Sequence, residues 1–277
     1  MVRSPESPLS FSLSYATAYG ITFEDFIEQA VERGFSDVQL IPDQEPNLYS
    51  EFDKSRIERL LHLSTKYGLQ YRVHNVFYDI NPLSLVPAVR DAALAVTKEI
   101  VAFAKAIRAK TVTVHAGYMF PGWRRDPVQS TRFWSYAEQS LRRLADLASG
   151  QNVDLLIENG SYYVSTRDGL GHKPLHVGVD PEELRRLIDV AEGRLGVCLD
   201  LNKALHSSSP LGAFVSKVGP WVRELQVSSV RDHEAEIGGA IEALKAESFK
   251  GAIVLEGTLQ GSAETRSAIL RLLGASA

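Results

Sequence analysis

Eight short runs of β-branched and apolar residues, each followed by an amphipathic stretch, predict an α/β protein folded as a single (β/α)8 TIM barrel. Two further observations agree. Eight strand–helix pairs suit the about 250 residues such a barrel uses, and no Pro/Gly/Ser-rich linker, composition shift or repeated block divides residues 1–277. An open doubly wound sheet is the alternative. It would usually carry a glycine-rich phosphate loop after its first strand, where this chain has Tyr15-Ala16-Thr17-Ala18-Tyr19.

The predicted strands are Phe11–Tyr15, Asp37–Ile41, Leu69–His74, Thr111–His115, Val153–Glu158, Leu195–Asp200, Arg223–Ser228 and Ala252–Glu256. The first helix starts at Thr22. Phe23, Phe26, Ile27 and Ala30 fall on one face and Glu24, Asp25, Glu28 and Gln29 on the other, as in a helix lying on a sheet. The clearest helix start is Asp180-Pro181-Glu182-Glu183. Asp180 can cap free N–H groups, Pro181 suits the first helical position, and the glutamates favour the positive helix end. That helix runs to about Ala191.

Composition narrows the function. With 30 Lys+Arg against 34 Asp+Glu the formal net charge is −4, so no bulk attraction to nucleic acid is expected. A content of 44% hydrophobic and 23% charged residues excludes a disordered or collagen-like chain. The single cysteine, Cys198, can build neither an intramolecular disulfide nor a cysteine-based zinc site, which fits a reducing compartment. The opening MVRSPESPLS lacks the apolar core of a secretory signal, and the most apolar helical stretch, Ala92 to Ile107, is broken by Lys98, Glu99 and Lys105. A cytoplasmic protein with no membrane partner is expected, so the sequon Asn159-Gly160-Ser161 has no consequence. There is no phosphate-cradling loop, dinucleotide fingerprint or nucleophile elbow.

Barrel interiors are expected to be apolar below the rim, so polar residues closing the strands mark the site. Strands three and four end in His74 and His115, five in Glu158, six in Asp200 and eight in Glu256, while strand seven carries Gln226. One strand-end histidine or carboxylate is unremarkable. Glu158, Asp200 and Glu256 together would force like charges into one volume, and a divalent metal resolves that conflict. Two glutamates, an aspartate and an amide oxygen make a hard, oxygen-rich set that suits manganese or magnesium, with cobalt or zinc as alternatives.

Tyr71-Arg72-Val73-His74-Asn75-Val76-Phe77-Tyr78-Asp79-Ile80-Asn81, Thr111-Val112-Thr113-Val114-His115-Ala116-Gly117, Leu156-Ile157-Glu158-Asn159, Val197-Cys198-Leu199-Asp200 and Val254-Leu255-Glu256 resemble the xylose isomerase-like barrels. That superfamily holds sugar isomerases and epimerases, some dehydratases, and the endonuclease IV group. The resemblance extends from Leu13 to Glu256. In the isomerase and epimerase branch it implies a single metal held by Glu158, Asp200, Gln226 and Glu256, with Gln226 standing where a histidine is usual. Glutamine at that place resembles the dehydroshikimate dehydratases and makes a lyase the alternative. The endonuclease branch is matched at His74, His115, Glu158, Asp200, Glu256 and the Asp232-His233 pair, but Lys203 and Gln226 stand where it uses histidines.

The resemblance implies that Glu158 and Glu256 are both ligands and acid/base groups, moving a proton beside the carbonyl of a small sugar or polyol ketone. Lys203 either contacts a substrate oxygen or pairs with a carboxylate. Arg124, beside Arg125, is a candidate for a substrate carboxylate or phosphate, although such loop pairs are commonly solvated. His74, His115, His172, Asp232 and His233 are further candidate substrate contacts, as is His176 in the same long segment as His172. Phe77, Tyr78, Phe120 and Trp123 either wall the pocket or pack. His62 reads as surface, His233-Glu234 lacks a second zincin histidine at Ile237, and Cys198 reads as buried packing. A barrel without catalysis also stays open, and so does a homo-oligomer.

Overall fold

Alternation along a strand sends every second side chain into a closed barrel and the others out toward the helices. The computed structural model describes residues 9–77, 80–149, 151–164, 172–174 and 176–274. Its strands are β1 (Ser10–Ser14), β2 (Asp37–Leu40), β3 (Gln70–His74), β4 (Thr111–His115), β5 (Asp154–Glu158), β6 (Tyr162–Val164), β7 (His172–Pro174), β8 (Gly196–Asp200), β9 (Val222–Val227) and β10 (Ala252–Leu255). All but β6 and β7 close one parallel barrel in chain order, β10 pairing with β1. Each barrel strand lies within one residue of its predicted run. β6 and β7 form an antiparallel pair between β5 and the next helix.

The helices are α1 (Phe23–Glu32), α2 (Lys54–Tyr67), α3 (Pro87–Ala106), α4 (Pro121–Arg125), α5 (Pro127–Ala148), α6 (Pro181–Val190), α7 (Leu201–Leu205), α8 (Leu211–Val218), α9 (Glu234–Ala246) and α10 (Leu259–Leu272). Their starts follow the capping residues. Thr22 accepts from the Asp25 N–H at 3.1 Å and Asp180 from the Glu183 N–H at 2.9 Å. The buried face of α1 is Phe23, Phe26, Ile27 and Ala30, as its periodicity predicts. Among the described residues no helix is long and apolar enough to cross a membrane.

Outward-facing Val38, Val73, Val112, Ile157, Leu199, Leu225 and Ile253 join the helices in the main core. The inward face departs from the expected apolar filling. Glu224, fully buried on β9, accepts hydrogen bonds from Gln39 Nε2 at 2.8 Å, Thr111 and Thr113 Oγ1 at 3.0 Å each, and Arg72 Nη1 at 3.2 Å. Arg72 also reaches Asp37 at 3.0 Å, and Ser14 donates to Gln39 at 3.1 Å. Cys198 is buried as expected, its sulfur 3.6 Å from Glu224, and burial beside these carboxylates keeps it a thiol. A lumen of ionic and polar groups is tolerable because each charge is paired and hydrogen-bonded.

Replacing Glu224 by Ala strands four donors and leaves Arg72 half-paired. The expected loss is about 3–5 kcal/mol of unfolding free energy, read from the urea midpoint. A loss below about 1 kcal/mol would show that the lumen network does not hold the barrel.

Candidate active site

The strand register sets the site. His115 is level with Glu158 across β4 and β5, and Asp200 is level with Gln226 across β8 and β9. Two residues below on the same faces are Thr113, Cys198 and Glu224, which meet in the lumen, so the upper residues open into the mouth. Glu256 follows β10 and continues its ladder, its N–H donating to Val227 O at 3.1 Å.

Glu158 is the hub. Its Oε2 lies 3.0 Å from His74 Nε2 and 2.8 Å from His115 Nε2, and its Oε1 contacts the Lys203 ammonium. Lys203 also lies 3.2 Å from Asp200 Oδ2. The local cause is that α7 begins directly at the end of β8. Asp200 caps it by accepting the Lys203 N–H at 2.9 Å, which returns the lysine side chain over the strand ends. Asn159 staples the same corner, accepting from Asp200 N at 2.7 Å and donating to Asp200 O at 3.1 Å.

The charges are sharply differentiated. Burial alone would raise Glu158, but Lys203 and the two imidazoles hold it well below the usual carboxylate range. Burial and the charges of Glu158 and Asp200 push Glu256 up to about 8. Asp200 is raised by burial, with Lys203 opposing. Burial would lower His74, yet its bond to Glu158 raises it, whereas burial lowers His115 with help from Lys203. Lys203 is raised, because Glu158 and Asp200 outweigh its own burial. Gln226 is fully buried and neither its Oε1 nor its Nε2 has a hydrogen-bond partner. A buried amide left so is costly unless a ligand completes it.

Two halves share Glu158. On one side, Nε2 of His74, Nε2 of His115 and a Glu158 oxygen lie within 4.8 Å of one another and could hold a metal ion. Nδ1 of His74 lies 2.7 Å from the Asn75 carbonyl and Nε2 faces Glu158, so both ring nitrogens meet acceptors, which fits its raised pKa. A metal ion at Nε2 would take the place of that proton, with the Asn75 carbonyl holding the Nδ1–H. On the other side, two of the four ligands expected from the sequence, Glu158 and Asp200, are paired with Lys203.

Not every candidate joins this cluster. Arg124 pairs with Glu183 and donates to the His176 carbonyl, so its charge clamps α4 to the start of α6. Arg125 is exposed, as is His62. His172 lies on β7 and its side chain is outside the described residues, as is Tyr78. Asp232 is exposed at φ 65°, and His233 precedes α9, 3.9 Å from Glu236; among the described residues neither is hydrogen-bonded or ion-paired to the cluster. Phe77 walls the imidazoles, its ring 5.5 Å from His74 and 5.4 Å from His115, whereas Phe120 is exposed and Trp123 packs on the core. Asp43, just past β2, was not among the sequence candidates; burial raises it and the His74 charge opposes. Its only signal was a carboxylate after an apolar strand end.

His176 covers the cluster edge. Its Nδ1 accepts from Ser161 N at 3.2 Å and its ring stands 4.6 Å from Tyr118. The close approach needs Gly160, where a Cβ would come within 2.6 Å of His176 Cβ. Burial, with the charges of His115 and Lys203, lowers His176 to about 4. The unfolded chain takes up this proton near pH 6.5 and the folded one does not. Stability from His176 is thus full above about pH 6.5 and is lost as the pH falls toward 4. His176→Asn, which cannot titrate, is expected to show a smaller fall in urea midpoint between pH 7 and 4.5; equal slopes would refute the assignment.

Residues 27–271 match the family described as the xylose isomerase-like TIM barrel. The uncharacterized protein MJ1188 of Methanocaldococcus jannaschii is 23% identical over 232 residues, covering 80% of this chain and 79% of its own. A D-tagatose 3-epimerase-like protein superposes with a TM-score of 0.77 at 17% identity, covering 96% of this chain and 97% of that one. AP endonuclease, family 2, from Brucella melitensis superposes at 0.69 and 17% identity, covering 95% and 98%. The fold is thus common to sugar epimerases and nucleases, and activity must be argued from the site. On the match across its length, the chain belongs to the xylose isomerase-like TIM barrel family.

Proposed function

We propose that the protein is a sugar isomerase or epimerase that moves a proton at the carbon beside the carbonyl of a small ketose or polyol ketone, with one divalent ion. The observation that carries this reading is the mouth itself. Buried Glu158 and Asp200 at the ends of β5 and β8 and half-buried Glu256 after β10 gather at the mouth with a fully buried, unbonded amide on β9, and one ammonium lies among them. Such a cup suits a small, uncharged, hydroxyl-rich molecule, whose oxygens would complete Gln226.

Glu158 and Glu256 divide the work, since Glu256, pushed up to about 8, is poised to give and take a proton near neutrality, while Glu158, held ionised well below the usual range, supplies the anion around which the imidazoles, the ammonium and the ion gather. His74 and His115 bracket one oxygen of Glu158 and restrict its rotation. His176 and Phe77 limit water at the edge. The imidazole–carboxylate trio fits a divalent ion, and two imidazoles favour zinc, cobalt or manganese over magnesium. Bound there by His74, His115 and Glu158, the ion supplies a fixed positive charge that makes the proton beside the carbonyl more acidic. Similarity to a D-tagatose 3-epimerase-like protein supports the substrate class.

The test is solvent exchange. Metal-loaded protein in D2O is incubated with a panel of ketoses, and deuterium entry beside the carbonyl is followed by NMR. Exchange is expected with at least one ketose, and Glu158→Gln and Glu256→Gln should each slow it by about 10²-fold or more. No exchange across the panel, or release of an aromatic acid from dehydroshikimate instead, would overturn the reading.

A further inference from the structure

Lys203 distinguishes the two halves of the mouth. Its ammonium touches Glu158 Oε1 and lies 3.2 Å from Asp200 Oδ2, while the imidazoles face Glu158 Oε2. The lysine is held there by the chain, because its own N–H is bonded to the Asp200 side chain in the first turn of α7. A second cation among the same carboxylates would have to meet that ammonium at contact distance, or expel it. Gln226, level with Asp200 on the neighbouring strand, touches neither the lysine nor any other hydrogen-bonding group.

We propose that the Lys203 ammonium is a built-in cation filling the carboxylate half of the mouth, so that the protein takes one divalent ion, on His74, His115 and Glu158, and not two. This rests on the proposed reading of the imidazole half as a metal site. It has a consequence for the reaction. Paired metals clamp the attacking and leaving oxygens of a phosphodiester displacement, and a lysine in the place of the second ion removes that clamp. An ammonium still offers hydrogen bonds to an enediolate oxygen, and Gln226 is left for a substrate hydroxyl. Lys203 thereby selects proton transfer on small polyols over phosphodiester cleavage on this barrel.

The experiment counts metal. Chelator-stripped protein is titrated with ZnCl2, and separately with MnCl2, by calorimetry, and bound ion is measured by elemental analysis after dialysis. The native chain is expected to hold one equivalent, and so is Lys203→Arg, while Lys203→Ala and the longer Lys203→Met should each hold two. Asp200→Asn added to Lys203→Ala should return the count to one. Circular dichroism confirms that each variant is folded. Two equivalents in the native chain, or one in both folded neutral variants, overturns the proposal. His115→Ala tests the underlying reading separately, because loss of the native equivalent supports the imidazole half. Retention would place the ion with the carboxylates and overturn both. If the native chain binds no metal and Lys203→Met gains one equivalent, the imidazole reading and the one-ion count fail together.

Discussion

A carboxylate removed from water must be neutralised by its surroundings, and the architecture depends on how that is done for Glu224. Its oxygens collect donors from β2, β3 and β4, and β8 brings the Cys198 sulfur alongside. The barrel wall therefore meets at one anion in its lumen. Apolar packing outside the wall supplies the bulk of the hydrophobic burial. The network inside restricts which strand lies at which height, because a shift of one residue would turn these partners outward.

The same constraint, repeated one layer higher, makes the site. Glu158 stands at the strand ends with two imidazoles on one oxygen and an ammonium on the other. Glu256 has no ion pair among the described residues, and burial with the charges of Glu158 and Asp200 pushes it up to about 8. Burial raises both glutamates, and their neighbours then separate them, lowering Glu158 and leaving Glu256 raised. Gln226 is one of several buried polar side chains with an unbonded atom, and an amide unbonded at both ends beside charged groups is what a substrate site leaves for its ligand to complete.

Around this centre the loops are tied down. Arg124 joins α4 to Glu183 at the start of α6, and Glu183 in turn accepts from Gly178 N at 3.0 Å. Val177 N donates to Gly117 O at 3.0 Å, so the segment after β7 is stitched to the loop after β4. His176 is carried into place on that stitching. The arginine that looked available for a substrate anion is consumed in holding the rim.

By itself the sequence determined the barrel, the order of its strands to within one residue, the caps at Thr22 and Asp180, and the strand-end set from His74 to Glu256. These are local properties, written in alternation, helical periodicity and capping chemistry. The tertiary structure alone decided that the lumen is ionic, that Arg124 faces Glu183, and that Lys203 lies between Glu158 and Asp200. Each of these is a choice of partner between groups brought together from distant parts of the chain. A charge in a sequence has no partner until the backbone closes around it, and burial then makes the choice energetically decisive.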